Sequence, residues 1–592
     1  MLWLTLLACN GKTTDTEAVD KPLMWPFPSA HLIVDGRVAI PDGAVPDAET
    51  PFPVDRVNWR EGFSVVQTAI IAPGVSIDPA TLPGYDDVGT PGDVLMWDLT
   101  DGAPIRCFAE LDAYPDQEAP TLIVRPLEPM SAGHRVAVVV TEAVMPAPDW
   151  FSALLNDEPV TQDGEILGDE WAAHYRALVV DLEAAGLSDI ALAFDFPTSD
   201  ATAPTRAIVD AVGIPDAWDL DVETEELPPD TWMQLSGTFT VDSWLEDDDD
   251  FIIDADGIPE PQGSAEAKLF IHVPDSARDA AEGTVPVWQF GHGIFSRPED
   301  YLEDPDDPSG VVELANRAGA ILIGTVWRGL TTTDLITPVT VGADPGQFPS
   351  LTDKLAQGVA NNVALSRLIL EGELLDDPAL LGLPDGTALN YYGISLGGIE
   401  GSTLLALNDR IGHGVAHVPG SAWSTMLERS SNWSQFEPMI MDNLTEPPDR
   451  QLLYAVSQLL WDPVDPASYV DELKGRSLLL QLSVGDEQVP NITTELMARG
   501  MGAVQHEPYA YAIEGLEAAS GPLSGPAISQ FDPQTARPPE TNRPAPVTGA
   551  HGAPRVWDGA KLQTMRFLDV DDPGVVEHFC GEWVCAAGNT GE

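Results

Sequence analysis

Leu389-Asn390-Tyr391-Tyr392-Gly393-Ile394-Ser395-Leu396-Gly397-Gly398 is the stretch whose reading decides the fold. A short apolar run ends in Gly-x-Ser-x-Gly and small residues follow, the pattern of a strand that turns sharply into a helix with a serine at the apex. Glycine at the flanking positions leaves room for a strained backbone and lets the helix pack close to the strand. With 51 glycines in 592 residues, composition alone produces such a pattern about 0.3 times per chain. The surrounding sequence therefore has to decide.

Outward from that stretch, strands alternate with helices from about residue 232, which implies a mostly parallel sheet covered by helices on both faces. The buried-strand candidates are 285–290, 320–324, 389–392, 414–418 and 478–482. A helix over 355–370 precedes the serine strand and one over 398–407 follows it. Upstream, runs such as Phe63–Ile71, Val94–Trp97, Thr121–Val124 and Arg135–Val140, each bounded by Pro, Gly or Asp, predict a β-sandwich-like N-terminal domain. A helix over 171–185, ended by Gly186, and a strand over 190–194 follow. The expected division is a leader and tether over 1–21, a β-rich domain over 22–215 and an α/β domain over 216–592. The last carries a cap insertion at about 422–462 and a Pro-rich insertion at about 521–547. No internal repeat is present, which counts against a β-propeller.

A serine that transfers acyl groups needs a base to take its proton, a carboxylate to orient the base, and donors for the developing oxyanion. The strand at 478–482 runs into Ser483-Val484-Gly485-Asp486-Glu487-Gln488-Val489-Pro490, placing a carboxylate at the C-terminal edge of a buried strand. Asp486 is the expected acid and Glu487 the second candidate; the plainer alternative is that Asp486 caps the helix beginning near Asn491. Of the histidines that follow, His551 sits in the small-residue loop Gly549-Ala550-His551-Gly552 and is the expected base. His506 lies too near the acid, and His578 sits beside two cysteines, so both read as structural. Phe290-Gly291-His292-Gly293-Ile294 ends the first core strand, and its glycines allow backbone N–H groups to turn toward the serine. The N–H groups of Ile294 and Leu396 are the expected oxyanion donors, with His292 orienting the loop; an ordinary Gly turn is the alternative.

The charge narrows the partners. Asp plus Glu total 95 against 28 Lys plus Arg, a net −67, and so acidic a surface repels nucleic acid and anionic lipid. Adaptation to high salt and simple solubility of a secreted protein both fit. The first ten residues, Met1 to Asn10, end an apolar run in a small residue plus Cys9, although no basic segment precedes it and the run is far too short to span a bilayer. Cys580 and Cys585 are placed for a local disulfide in an oxidising compartment, leaving Cys107 as a lone buried thiol. No second Cys/His pair stands at zinc-finger spacing. The acidic segments Glu246–Asp250 and Asp254–Gly257 lack the ligand spacing of an EF-hand and read as a solvated linker. Residues 422–462 carry Trp423, Met426, Trp433, Phe436, Met439, Ile440 and Met441, as a lid or acyl-chain groove would and as an ordinary packed cap would also.

Serine, acid and histidine stand in the chain order of α/β-hydrolases, with a glycine loop upstream, and the chain from about 232 to 592 resembles that superfamily. The end of the apolar leader at Cys9 resembles a bacterial lipobox. Together with the β-rich N-terminal domain, it makes the whole similar to bacterial surface lipoprotein lipases of the virulence-factor lipase type. That resemblance implies an extracytoplasmic protein anchored through lipidated Cys9 at the outer membrane or cell surface of a Gram-negative bacterium. It also implies hydrolysis of carboxylic esters, lipids above all, by Ser395, His551 and Asp486 with neither metal nor organic cofactor. Two other readings stay open: a peptidase of the prolyl oligopeptidase type, and a non-catalytic surface lipoprotein.

Overall fold

The apolar run at 389 is the middle of a sheet of 12 strands. The computed structural model describes residues 24–85, 92–114, 117–156, 161–162, 165–166, 169–223 and 227–591; Cys9 and the tether lie outside the described residues. In chain order the strands are β1 (Trp218–Val222), β2 (Thr231–Ser243), β3 (Gly263–Pro274), β4 (Val285–Gly291), β5 (Ile321–Gly324), β6 (Pro384–Ile394), β7 (Ile411–His417), β8 (Ser477–Ser483), β9 (Val504–Glu507), β10 (Ala518–Ser520), β11 (Ala527–Asp532) and β12 (Cys585–Ala586). Across the sheet they run β1-β2-β3-β5-β4-β6-β7-β8-β11-β9-β10, with β12 also on β11. The pairs from β1 to β5 are antiparallel; every pair from β5 onward is parallel. This is the mostly parallel α/β sheet expected of an α/β-hydrolase domain.

Side chains alternate across the sheet with the two-residue period of a strand. On β6, Leu389 and Tyr391 join the large apolar cluster on one face, and Tyr392 and Ile394 join a second cluster on the other. Val287 and Phe290 of β4 divide in the same way. Seven helices matter to the site: α1 (Ile336–Ala343), α2 (Phe348–Leu370), α3 (Leu396–Leu407), α4 (Trp423–Arg429), α5 (Glu437–Asn443), α6 (Pro447–Trp461) and α7 (Asp558–Phe567). In α2 every residue but Arg367 and Leu370 is buried, so it is a core helix, and it begins seven residues before the expected 355. The stretch expected to be a cap insertion, 422–462, supplies α4, α5 and α6.

Besides two two-stranded pairs, the described residues of the N-terminal region form an antiparallel sheet of four strands (Ile190–Pro197, Arg135–Thr141, Val94–Asp98, Ala103–Ile105) and one of three (Ala69–Ile71, Leu122–Pro126, Cys107–Leu111). One apolar cluster runs without a break from Met24 in this region to Ile528 in β11. The run at 63–71 is strand only over Ala69–Ile71, because its polar residues bond elsewhere. Ser64 donates to Asp462 at 2.6 Å and Gln67 to the carbonyl of Ala455 at 2.8 Å, both on or just beyond α6.

The tract at 521–547, expected to be a Pro-rich insertion, contains part of the sheet itself. Its residues 527–532 are β11, a buried parallel strand seated between β8 and β9. The parts on either side of β11 lie at the surface, and the one beyond it is pinned by buried Asn542, which donates to Asp112 and Glu428 at 3.0 Å each.

Candidate active site

Ser395 sits between β6 and α3 with φ 57° and ψ −114°, a backbone region that costs a non-glycine residue on the order of 1–3 kcal/mol. Its neighbours hold it there: its N–H donates to the carbonyl of His417 at 2.9 Å, and its carbonyl accepts from Gly398 and Ile399 at 2.8 and 2.9 Å. The motif glycines have a steric reason. A Cβ on Gly393 would collide with the carbonyl of Gly397, and one on Gly397 with the carbonyl of Gly291. The fully buried Tyr391 donates its hydroxyl to the carbonyl of Gly397 and ties the first turn of α3 back onto β6.

The register aligns the C-terminal ends of three strands. Ile394 pairs with His417, and His417 with Gln481, so Ser395 and the loop after β8 lie at one end of the sheet. In that loop Asp486 accepts from the backbone N–H of Gln488 and Val489 at 2.9 Å each. The same carboxylate faces Nδ1 of His551 at 2.9 and 2.8 Å. The bonds from Gln488 and Val489 close a turn ahead of the helix at Asn491–Gly500, whose N-cap is Pro490 without a side-chain cap bond, so Asp486 does not cap that helix.

Glu487 is no substitute for Asp486 but its complement. It is buried and accepts from Thr548 Oγ1 at 2.9 Å, the N–H of Gly549 at 3.1 Å and the N–H of His551 at 3.2 Å. Ser483, at the end of β8, donates to the carbonyl of Ala550 at 2.7 Å. The sequence separation of more than sixty residues hides this clamp; adjacent Asp and Glu after a buried strand were its only signal.

His292 is fully buried. Its Nε2 accepts the N–H of Trp327 at 2.9 Å, so Nδ1 carries the proton and donates to the carbonyl of Gly293 at 2.8 Å. Ser296 Oγ donates to that same carbonyl at 2.7 Å. The Gly293 carbonyl and the Ile294 N–H share one trans peptide and point in opposite directions, so fixing the first fixes the second. A Cβ on Gly293 would stand 3.6 Å from the Cβ of Ser395, which brings the loop against the serine. Leu396 is the first residue of α3, where helix N–H groups have no partner within the helix. Burial pushes the pKa of His292 down to about 4 and keeps its ring in the neutral form this arrangement needs.

His417 and His506 lie on strands of the sheet, β7 and β9. His417 is held by Gln481 at 2.8 Å and has its pKa pushed down to about 3 by burial. His506 and His578 lie together near the β10 edge, ring centroids 6.1 Å apart. His506 meets Ser529 at 3.3 Å, and His578 the carbonyl of Trp583 at 2.8 Å.

Ser395 and Leu396 open into a cavity of about 80 Å³ walled by Phe295, Val341, Trp423, Met426, Phe436 and Ile440 among others. Nearly all of its surface is apolar. Behind α4, a wholly buried network joins the cavity wall to the N-terminal strands: Arg125 meets Glu110 at 2.9 Å and Glu428 at 2.6 Å, and Arg429 meets Glu110 at 2.5 Å. Burial raises the pKa of Glu428 against the pull of Arg125. Nothing in the local sequence signals this network, since its members come from three distant segments.

Among the described residues, the groups that could hold a metal ion are Asp98, Asp101 and His134, and His578 with Cys580 and Cys585. The two cysteines form a disulfide and Cys107 is free and buried. The acidic loop at 254–257 is closed by its own side chain, Asp254 accepting from the N–H groups of Asp256 and Ile258 at 2.9 and 3.0 Å.

No protein-family model matches the chain, and no curated protein matches it in sequence. Among solved structures, the chain is similar to acetyl xylan esterase 1 from Thermoanaerobacterium sp., at 12% identity over 56% of this chain and 88% of that one, with a TM-score of 0.35. The rice cell wall degrading esterase LipA from Xanthomonas oryzae matches at 12% identity over 51% and 89%, with a TM-score of 0.30. An acylaminoacyl peptidase from Pyrococcus horikoshii matches at 14% identity over 60% and 49%, with a TM-score of 0.28.

Proposed function

We propose that the protein is a serine hydrolase that cleaves carboxylic esters with an apolar acyl group, lipid esters above all. The observation that carries this reading is that the strained Ser395 opens directly into an apolar cavity, while Asp486 holds His551 at the same end of the sheet.

In the proposed cycle Ser395 Oγ attacks the ester carbonyl carbon. His551 takes the hydroxyl proton on Nε2, since its Nδ1 is committed to Asp486, and the tetrahedral oxyanion is received by the N–H groups of Ile294 and Leu396. The intermediate collapses, His551 returns the proton to the departing alcohol, and a water attacks the acyl-serine by the same route in reverse. The fixed Gly293–Ile294 peptide supports the oxyanion assignment, because a donor already aimed costs no reorganisation during reaction. An acyl chain in the cavity gains about 0.8 kcal/mol per buried CH₂, which favours long acyl groups.

The Cys580–Cys585 disulfide supports placement outside the cytoplasm. Anchoring through Cys9 at the surface of a Gram-negative cell, a sandwich-like N-terminal domain over 22–215 and kinship with virulence-factor-type lipoprotein lipases belong to the same proposal.

The test is labelling with a fluorophosphonate, followed by a series of p-nitrophenyl esters from acetate to palmitate. Covalent label on Ser395, loss of label and of activity in Ser395→Ala, and rising kcat/KM with chain length are expected. Hydrolysis unaffected by Ser395→Ala would refute the assignment.

A further inference from the structure

We infer that the outer face of α1 is a docking surface for electrically neutral lipid, and that it seats the cavity against aggregated substrate; the inference rests on the proposed ester hydrolysis. α1 is two-sided. Its inner residues Pro338, Val341 and Gly342 wall the cavity that starts at Ser395. On its outer side Leu335, Ile336 and Val339 are 48%, 71% and 37% exposed. These are large aliphatic side chains at positions i, i+1 and i+4, which share one face of a helical turn.

Such a face is unusual for this chain. The nine residues from Leu335 to Ala343 carry no charge in a protein of net −67. The flanking acids are turned away from the face. Asp334 is buried against Arg328 at 2.9 Å and the N–H of Gly329 at 2.8 Å, and Asp344 accepts from the N–H of Thr50 at 3.0 Å. Apolar side chains grouped on an exposed surface mark an interaction site more often than a solvated face.

The occupant follows from two observations. The surface is continuous with the cavity wall, one helix supplying both, so whatever lies on Ile336 and Val339 lies one helix thickness from the acyl site. The net charge repels phosphatidylglycerol-like and other anionic surfaces, which leaves uncharged or zwitterionic lipid. Among the described residues no helix is long and apolar enough to cross a membrane, so the contact is peripheral, with aliphatic side chains entering the headgroup boundary.

The experiment uses the full chain carrying Cys9→Ser, to remove any acyl anchor, and Ser395→Ala, to remove turnover. This protein is floated with phosphatidylcholine vesicles and with vesicles of equal parts phosphatidylcholine and phosphatidylglycerol. It should float with the first, less with the second, and lose at least tenfold in partition when Ile336→Asp and Val339→Asp are added. The milder pair Ile336→Ser and Val339→Ser should show an intermediate loss with unchanged thermal unfolding. With Ser395 restored, the aspartate pair should hydrolyse p-nitrophenyl butyrate within twofold of the parent. Failure of the parent to float on phosphatidylcholine, or equal flotation of parent and aspartate pair, would overturn the inference. So would a parent that sediments as a dimer and becomes monomeric with the pair while never floating. Absence of p-nitrophenyl butyrate hydrolysis by the Ser395 chain would instead sink the hydrolase reading, and the flotation result would still decide the docking surface.

Discussion

The carboxylate of Glu487 lies 3.2 Å from the backbone nitrogen of His551, while its neighbour Asp486 lies 2.8 Å from the imidazole of the same residue. Two consecutive acids thus divide one histidine between them, one fixing where its Cα stands and the other how its ring turns. Glu487→Gln presents an amide that can accept only one of the N–H groups now served and turns a donor toward the rest. Misplacement by about 1 Å costs up to about 10²-fold in rate, so kcat for p-nitrophenyl butyrate should fall about 10- to 100-fold with KM nearly unchanged. Asp486→Asn should cost about 10³- to 10⁴-fold. Steady-state kinetics of both variants check the division of roles; a Glu487→Gln enzyme with the parent's kcat would remove Glu487 from the site.

Ser395 at φ 57° pays for its position in backbone strain. Ser395→Gly and Ser395→Ala should both be inactive, but the glycine variant relieves the strain and the alanine variant keeps it. Urea unfolding should rank Ser395→Gly above Ser395→Ala by about 1–2 kcal/mol. The reverse order would show that the elbow is unstrained.

His272 on β3 is fully buried with neither ring nitrogen bonded to a described residue, and burial holds its pKa down to about 4. Below pH 6.5 the unfolded chain takes up a proton that the folded protein refuses. Its contribution to stability is therefore complete above pH 6.5 and is lost as pH falls toward 4, by at most roughly 3 kcal/mol. His272→Leu should flatten that part of the stability–pH curve. Unfolding free energies between pH 4.5 and 7.5 for parent and variant measure the difference.

Cys107 is buried in an antiparallel strand, and burial pushes its thiol pKa up to about 12. The thiol stays protonated at neutral pH, and the thiolate is the reactive form. Iodoacetamide at pH 8 should leave it unmodified in the folded protein and alkylate it within minutes in guanidinium chloride. Rapid modification of the folded chain, read by mass spectrometry, would contradict its placement.

What the sequence determined is local or periodic. Gly393, Ser395 and Gly397 specify the elbow because the clashes that exclude a Cβ arise between residues a few positions apart and one neighbouring strand. Short apolar runs alternating with helices marked β4 and β6, and the small-residue loop at Gly549–Gly552 singled out His551. The order Ser395, Asp486, His551 is legible along the chain.

What only the tertiary structure decided depends on groups brought together from far apart. The strand β11 hides in a Pro-rich tract because parallel pairing with β8 overrides the local turn signals around it. Glu487 is defined by N–H groups sixty residues away, and the ion network of Arg125, Glu110 and Glu428 by burial that no composition window reports. The two faces of α1 look alike in sequence, all small or aliphatic. Packing alone turns Val341 into the apolar cavity and leaves Ile336 in water, because periodicity sets which residues share a face while the neighbours of the helix set which face is covered.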